Sequence, residues 1–210
     1  ITTVRSSTIG LIGTAPEADP LIFPLNKPVL IAGSRTLAAK LGETGTLPQA
    51  LDSIFDQIGA VVIVVRIDEE ETAPATLANV IGGVDANTGT YEGVHAFLAS
   101  ENITGFVPKI LIAPGFTHTR TEAVGETPAT SNPVVAELIG IAERLKAVIV
   151  ADGPNTNDAD AIAYSEDFGS KRVFLVDPNV LKSVDGETSQ EWASACVAGL
   201  LLSNINDHFP

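Results

Sequence analysis

Methionine is absent from these 210 residues, and cysteine occurs once, at Cys196. Without a methionine the chain cannot begin at a natural start codon, so it is expected to be a trimmed piece of something longer. A lone cysteine excludes an internal disulfide and every zinc site built from several cysteines, and it suits a reducing compartment. Basic residues are also scarce: 12 Lys plus Arg stand against 26 Asp plus Glu, for a formal net charge of -14. An electrostatic grip on phosphate backbones or anionic lipid therefore has no general basis, and neither nucleic acid nor membrane is expected as a partner. The longest apolar run, residues 58–65, is far short of the roughly 20 residues that cross a bilayer, and no basic segment leading into an apolar one opens the chain. What remains is 45% hydrophobic and 18% charged, enough for one large domain or two small ones with a substantial core.

Short β-branched runs dominate the pattern: residues 7–13, 29–32, 60–66, 109–113, 147–151 and 172–177. Each is nearly continuous in apolar character and bounded by Gly, Pro or Asp, as in strands buried on both faces of a mostly parallel sheet. Helical stretches separate them. Ser34 can cap a helix over 34–42, and Thr46 and Pro48 open one that ends at Gly59. Asn132 and Pro133 begin another, in which Val135, Leu138, Ile139, Ala142 and Leu145 recur at helical spacing toward Lys146. A helix over 158–168 follows. Thr188-Ser-Gln-Glu191 reads as a capping box that opens a helix through Trp192, Cys196, Leu200 and Leu201. This order predicts an α/β fold: a doubly wound, mostly parallel sheet with helices on both faces and a protruding loop or small insertion.

Three stretches depart from the pattern. Residues 68–71, with Pro74 beyond them, read as a solvated turn, and the Gly-rich 82–89 as a flexible connection. Residues 115–131 carry threonines at 117, 119, 121, 127 and 130 with Pro128 among them, and are expected to form a long exposed polar loop.

Parallel α/β sheets commonly bind ligands at the carboxyl ends of their strands, which is where a chemical motif would be expected. Gly10-Leu-Ile-Gly13 follows the first strand, but a dinucleotide fingerprint needs glycines where Ile12 and Ala15 stand, and Pro16 and Pro20 oppose the helix that would hold a pyrophosphate. Gly42-Glu-Thr-Gly45 lacks the phosphate-neutralising lysine. Gly-x-Ser-x-Gly does not occur, and Cys196 falls mid-helix, where a small packed residue explains it. His95, His118 and His208 form no His-x-x-x-His pair. Residues 152–160 gather Asp152, Asn155, Asn157, Asp158 and Asp160, which serve as a turn and helix cap or hold a hard cation. Glu166 with Asp167, and residues 69–71, are adjacent carboxylates with no sign of opposed acid and base roles. No catalytic, cofactor-binding or metal residue is assigned, and no cofactor is expected.

The wording of the segments is more telling. Thr3-Val-Arg-Ser-Ser-Thr-Ile-Gly-Leu-Ile-Gly-Thr-Ala15 and Phe23-Pro-Leu-Asn-Lys-Pro-Val-Leu-Ile31 resemble the opening of the tail sheath protein of P2-like contractile phages. Gly45-Thr-Leu-Pro-Gln-Ala-Leu-Asp-Ser-Ile-Phe-Asp-Gln57, the strand ending at Arg66, Ala78-Asn-Val-Ile-Gly-Gly83, Tyr91-Glu-Gly-Val-His-Ala-Phe-Leu98, Thr104-Gly-Phe-Val-Pro-Lys109 and Lys109-Ile-Leu-Ile-Ala-Pro-Gly115 are similar to that family in the same order. The resemblance implies a structural protein with no covalent chemistry. Its subunits would stack as hexameric rings around a tail tube and contract when the baseplate triggers, in a virion tail assembled in the bacterial host cytoplasm. It also implies that residues 1–210 are the central α/β portion of a sheath subunit, without the N- and C-terminal arms that add strands to neighbours. Two other classes stay open on the residues themselves. One is an α/β enzyme or small-ligand binder with a site in the loops after Ala32, Ile67, Ala113, Ala151 and Asp177. The other is a surface module that uses the Thr-rich loop for contact.

Overall fold

The computed structural model describes residues 8–121, 130–184 and 186–203. Along the chain run β1 (Thr8–Thr14), β2 (Pro28–Ala32), α1 (Arg35–Ala38), α2 (Thr46–Gln57), β3 (Val61–Ile67), α3 (Ala73–Ile81), β4 (Gly83–Val84) and β5 (Tyr91–Glu92). After a 3-10 turn over Gly93–Ala99 come α4 (Ser100–Thr104), β6 (Ile110–Ile112), α5 (Pro133–Leu145), β7 (Val148–Asp152), α6 (Asp158–Ser165), β8 (Val173–Val176), β9 (Val180–Val184), β10 (Glu187–Glu191) and α7 (Ala193–Ser203).

Six strands form one sheet in the order β2-β3-β1-β6-β7-β8. All neighbours are parallel except β2, which runs against β3. The exception follows from Pro16, Pro20 and Pro24, which prevent residues 15–27 from forming the crossover helix a parallel return requires. That segment stays at the carboxyl end of the sheet, where the Asn26 N–H donates to the Arg66 carbonyl at 2.8 Å. β2 therefore starts where β1 and β3 finish and runs back.

Alternate side chains of the central strands feed two separate cores, as the two-residue period of a strand dictates. Ile9, Leu11, Val62 and Val64 pack with Leu47, Leu51 and Ile54 of α2 and Ala195 and Ala198 of α7. Ile12, Val65 and Ile67 face the other way, onto Val80 of α3, Phe97, and Val134, Leu138 and Ile141 of α5. Helices thus cover both faces, and the expected fold class is the observed one. The cap at Asn132 forms as its spacing predicts, accepting the Val135 N–H at 3.0 Å. Among the described residues no helix is long and apolar enough to cross a membrane.

Local expectations are corrected at three places. Residues 188–191 are not a capping box. They lie in β10, paired antiparallel with β9 from Glu187↔Val184 to Glu191↔Val180. Pairing of the extended runs before and after Gly186, whose φ is 87°, outweighs the box, and α7 starts only at Ala193. Residues 82–89 belong to a small hairpin, β4 with β5, whose turn is held by the Asp85 carboxylate accepting the N–H groups of Asn87 and Thr88, both at 2.7 Å. Within the 115–131 segment, Thr119, Thr121 and Thr130 are exposed but Thr117 is completely buried; residues 122–129 lie outside the described part.

Gly45, which precedes α2, has φ of 93°, and a Cβ there would run into the carbonyl of Thr14. Both the left-handed backbone and the contact require glycine. Gly45→Ala should destabilise the chain by about 1–3 kcal/mol, read as a lowered midpoint of urea unfolding with an unchanged slope.

Candidate functional site

Sheet order turns back at β1, with β3 and β2 on one side and β6, β7 and β8 on the other. In open α/β sheets such a reversal leaves a crevice beyond the strand ends. Here it is a cleft of about 790 Å³. Thr14 and Thr46 form its floor, the start of α3 with Glu69 and Glu70 forms one wall, and residues 115–121 with Asn132 form the other.

The floor and the wall formed by the loop are held by specific bonds. The Thr14 N–H donates to Thr46 Oγ1 at 3.1 Å, and the Thr46 N–H donates to Thr14 Oγ1 at 3.3 Å, which ties the end of β1 to the start of α2. Asn132 caps α5 through its carbonyl oxygen, while its Nδ2 donates to the carbonyls of Phe116 and Thr119 at 2.9 and 2.8 Å. One side chain thus ends a loop and begins a helix. Arg120 clamps Asp167 through two bonds of 2.6 and 2.9 Å and donates to the Ala163 carbonyl, so its charge is already balanced.

Beneath the loop lies Asp152, with no exposed surface. Its carboxylate accepts the Ser194 N–H and the Ser194 hydroxyl, both at 2.7 Å, and the Thr117 hydroxyl at 3.4 Å. It is therefore the N-terminal cap of α7, delivered from the end of β7, 42 residues earlier in the chain. Burial pushes this carboxyl up from its ordinary value, and the bonds from Ser194, Thr117 and the Gly115 backbone oppose that push without reversing it. The Tyr164 hydroxyl donates to the Thr117 carbonyl. Burial is the main cause that raises this phenol's pKa, with Asp167 adding to it. His118 packs its ring on Trp192 at 4.8 Å between centroids, and burial holds its imidazole below the usual value.

The remaining candidates are dispersed. Asn157 caps α6 through the Asp160 N–H, while the Asp160 carboxylate accepts from Thr156 and Asn157. The 152–160 run is thus built as a turn and a cap, and Asp152 points away from it into the core. Among the described residues no group of three or more His, Cys, Asp or Glu is placed to hold a metal ion. His95 pairs with Glu137 at 2.9 Å, and Glu166 is exposed. Cys196 is half-buried on α7, and burial raises its thiol pKa, away from the reactive thiolate. His208 lies outside the described residues. The structure brings His118, Arg120 and Glu69 to one cleft and leaves Cys196, His95 and Asp158 elsewhere. The role of Asp152 had no local signal, because its partners Thr117 and Ser194 are remote in sequence.

Comparison with known proteins adds a family to this geometry. Residues 6–67 match the family model described as tail sheath protein Gp18 domain III, N-terminal region. The chain is 37% identical over 198 residues to a putative prophage major tail sheath protein of Pseudomonas aeruginosa, across 93% of this chain and 48% of that one. It is 35% identical to the tail sheath protein of Escherichia phage P2 across 95% of this chain and 49% of the other. A major tail sheath protein of Serratia phage KSP20 is 35% identical, across 99% and 51%. The chain belongs to the tail sheath protein family. It spans about half the length of these curated relatives. The fold agrees with the contracted helical sheath of the anti-feeding prophage, at a TM-score of 0.50 and 15% identity over 96% of this chain and 47% of that one.

The Asp152 cap makes stability depend on pH with a definite sign. The folded chain holds the Asp152 proton more tightly than the unfolded chain, so this group favours folding most at low pH. That contribution is lost as pH rises through the raised pKa. Urea unfolding between about pH 4 and pH 7 should show the unmodified chain losing stability relative to Asp152→Asn as pH increases. A constant difference across that range would count against a raised Asp152.

Proposed function

We propose that this chain is the α/β portion of a structural subunit of a contractile tail sheath. The subunit polymerises with its own copies around a tail tube and contracts to drive the tube through a target cell envelope. The observation that carries this reading is sequence identity of 35–37% to tail sheath proteins, running over 93% or more of the chain. In the proposed role residues 1–210 form the central body, and segments beyond it link neighbours and meet the tube and baseplate. The work is mechanical and needs no cofactor, and its place is the virion tail, built in the host cytoplasm. A body with one sheet between two packed helix layers suits a part that must move as a unit, because close-packed interiors transmit force without deforming.

The cleft at the strand ends favours a second reading, a small-ligand binder. A large rise in melting temperature with nucleotides or divalent ions would support that reading over the first.

Electron microscopy of the polypeptide at its natural length should show tubes of stacked rings; dispersed particles at high concentration would overturn the sheath reading. Cys196→Ala should leave these tubes intact, with a packing loss of at most about 1 kcal/mol in unfolding. A loss of some catalytic turnover on the same substitution would instead identify an enzyme.

A further inference from the structure

Two clusters of like charge stand at opposite ends of the sheet. Lys109, Lys146 and Arg172 stand just before β6, β7 and β8, three parallel strands that start at one edge. Hydrogen bonds hold these residues together: Lys109 Nζ donates to the Leu145 carbonyl at 2.6 Å, Arg172 Nη1 to the Ala147 carbonyl at 3.0 Å, and the Val148 N–H to the Lys109 carbonyl at 2.9 Å. Arg172 is also paired with Glu143 at 2.8 Å. Arg144, Lys146 and Lys171 are exposed at the same edge and form no ion pair among the described residues. Val148, 40% exposed, supplies an apolar spot among them.

The opposite edge has the opposite sign. Asp68, Glu69, Glu70 and Glu71 follow β3 and are all exposed. Of the cations at this end, Arg120 on the cleft wall is occupied by Asp167, and Lys27, exposed just before β2, is outnumbered by the four carboxylates. A strand of the length of β3 extends roughly 20 Å. The screening length at physiological ionic strength is only about 8 Å. The two ends therefore cannot neutralise each other within one molecule.

Opposite charge on opposite ends of one body fits head-to-tail association, in which one surface meets a different surface of the next copy and the contact repeats without closing. Charge complementarity of this kind fixes register and speeds encounter. With a formal net charge of -14, copies repel one another at long range, so their attraction has to come from close pairing of a basic edge with an acidic edge held at a fixed position. We infer that the strand-start edge around Arg144, Lys146 and Lys171 docks onto the acidic edge formed by residues 68–71 of a second copy. This rests on the self-assembly proposed above and adds which faces meet.

The test follows assembly of the polypeptide at its natural length by light scattering and electron microscopy. Lys146→Glu with Lys171→Glu should slow assembly about tenfold or more, as should Glu69→Lys with Glu71→Lys. A chain carrying all four changes should recover to within about threefold of the unmodified rate, because the complementary pairing is restored with its signs exchanged. All four side chains are exposed, and far-ultraviolet circular dichroism with thermal unfolding verifies that each variant is folded. Assembly of both double variants at the unmodified rate would overturn the inference, as would a fourfold variant that stays as slow as the doubles. So would capture of the unmodified chain by anionic vesicles or duplex DNA that is lost in Lys146→Glu with Lys171→Glu while its assembly is unchanged. Tubes that form regardless of these reversals defeat this inference alone, whereas absence of tubes from the unmodified chain defeats the sheath reading and this inference with it.

Discussion

β1 has a strand on either edge and a helix layer on either face, so its side chains and its backbone polar groups must be satisfied by other parts of the chain. Its glycines make that crowding feasible. A Cβ at Gly10 would sit 2.9 Å from atoms of Phe97, Leu111 and Pro108, and one at Gly13 would collide with Thr46. The helix layers can close on the strand only because these positions carry no side chain. The two cores meet at this strand, since Ile9 and Leu11 belong to one and Ile12 to the other. Anything that displaced β1 would open both.

From that strand outward, order passes through a few polar side chains that each serve two elements. Thr14 and Thr46 exchange bonds between β1 and α2. Asn132 joins the 116–119 turn to α5. Asp152 joins β7 to α7 and to Thr117. Buried polar groups are costly unless fully bonded, and each of these side chains is bonded to backbone or hydroxyl groups, including partners from distant segments. The loops at the carboxyl edge are thereby fixed to the sheet, and the cleft between them has defined walls.

The sequence pattern made the sheet legible because parallel strands buried on both faces must be apolar throughout, as at 60–66 and 147–151. It made α5 legible because Asn132 and Pro133 act locally. What it misjudged depended on competition or distance. At 188–191 a capping box and a hairpin strand compete over the same residues, and pairing of Glu187–Glu191 with Val180–Val184 won. Asp152 looked like a member of an oxygen-rich turn because its partners, Thr117 and Ser194, are supplied only by the folded arrangement of three segments. The antiparallel direction of β2 was implicit in the prolines at 16, 20 and 24, which rule out a crossover helix.

A mechanical role places particular demands on such a molecule. Under the proposed function, energy released in contraction resides in contacts between subunits, so the body must stay the same while those contacts are exchanged. Apolar interfaces are poor at this, because separating them exposes area to water at about 25 cal/mol per Å². Contacts between charged edges are separated at lower cost in water and re-formed in a new register, since their energy is modest and screened. In that proposed role, two internal cores and charged clusters at the two ends of the sheet divide the work: the cores hold the body fixed, and the charged ends serve reversible attachment.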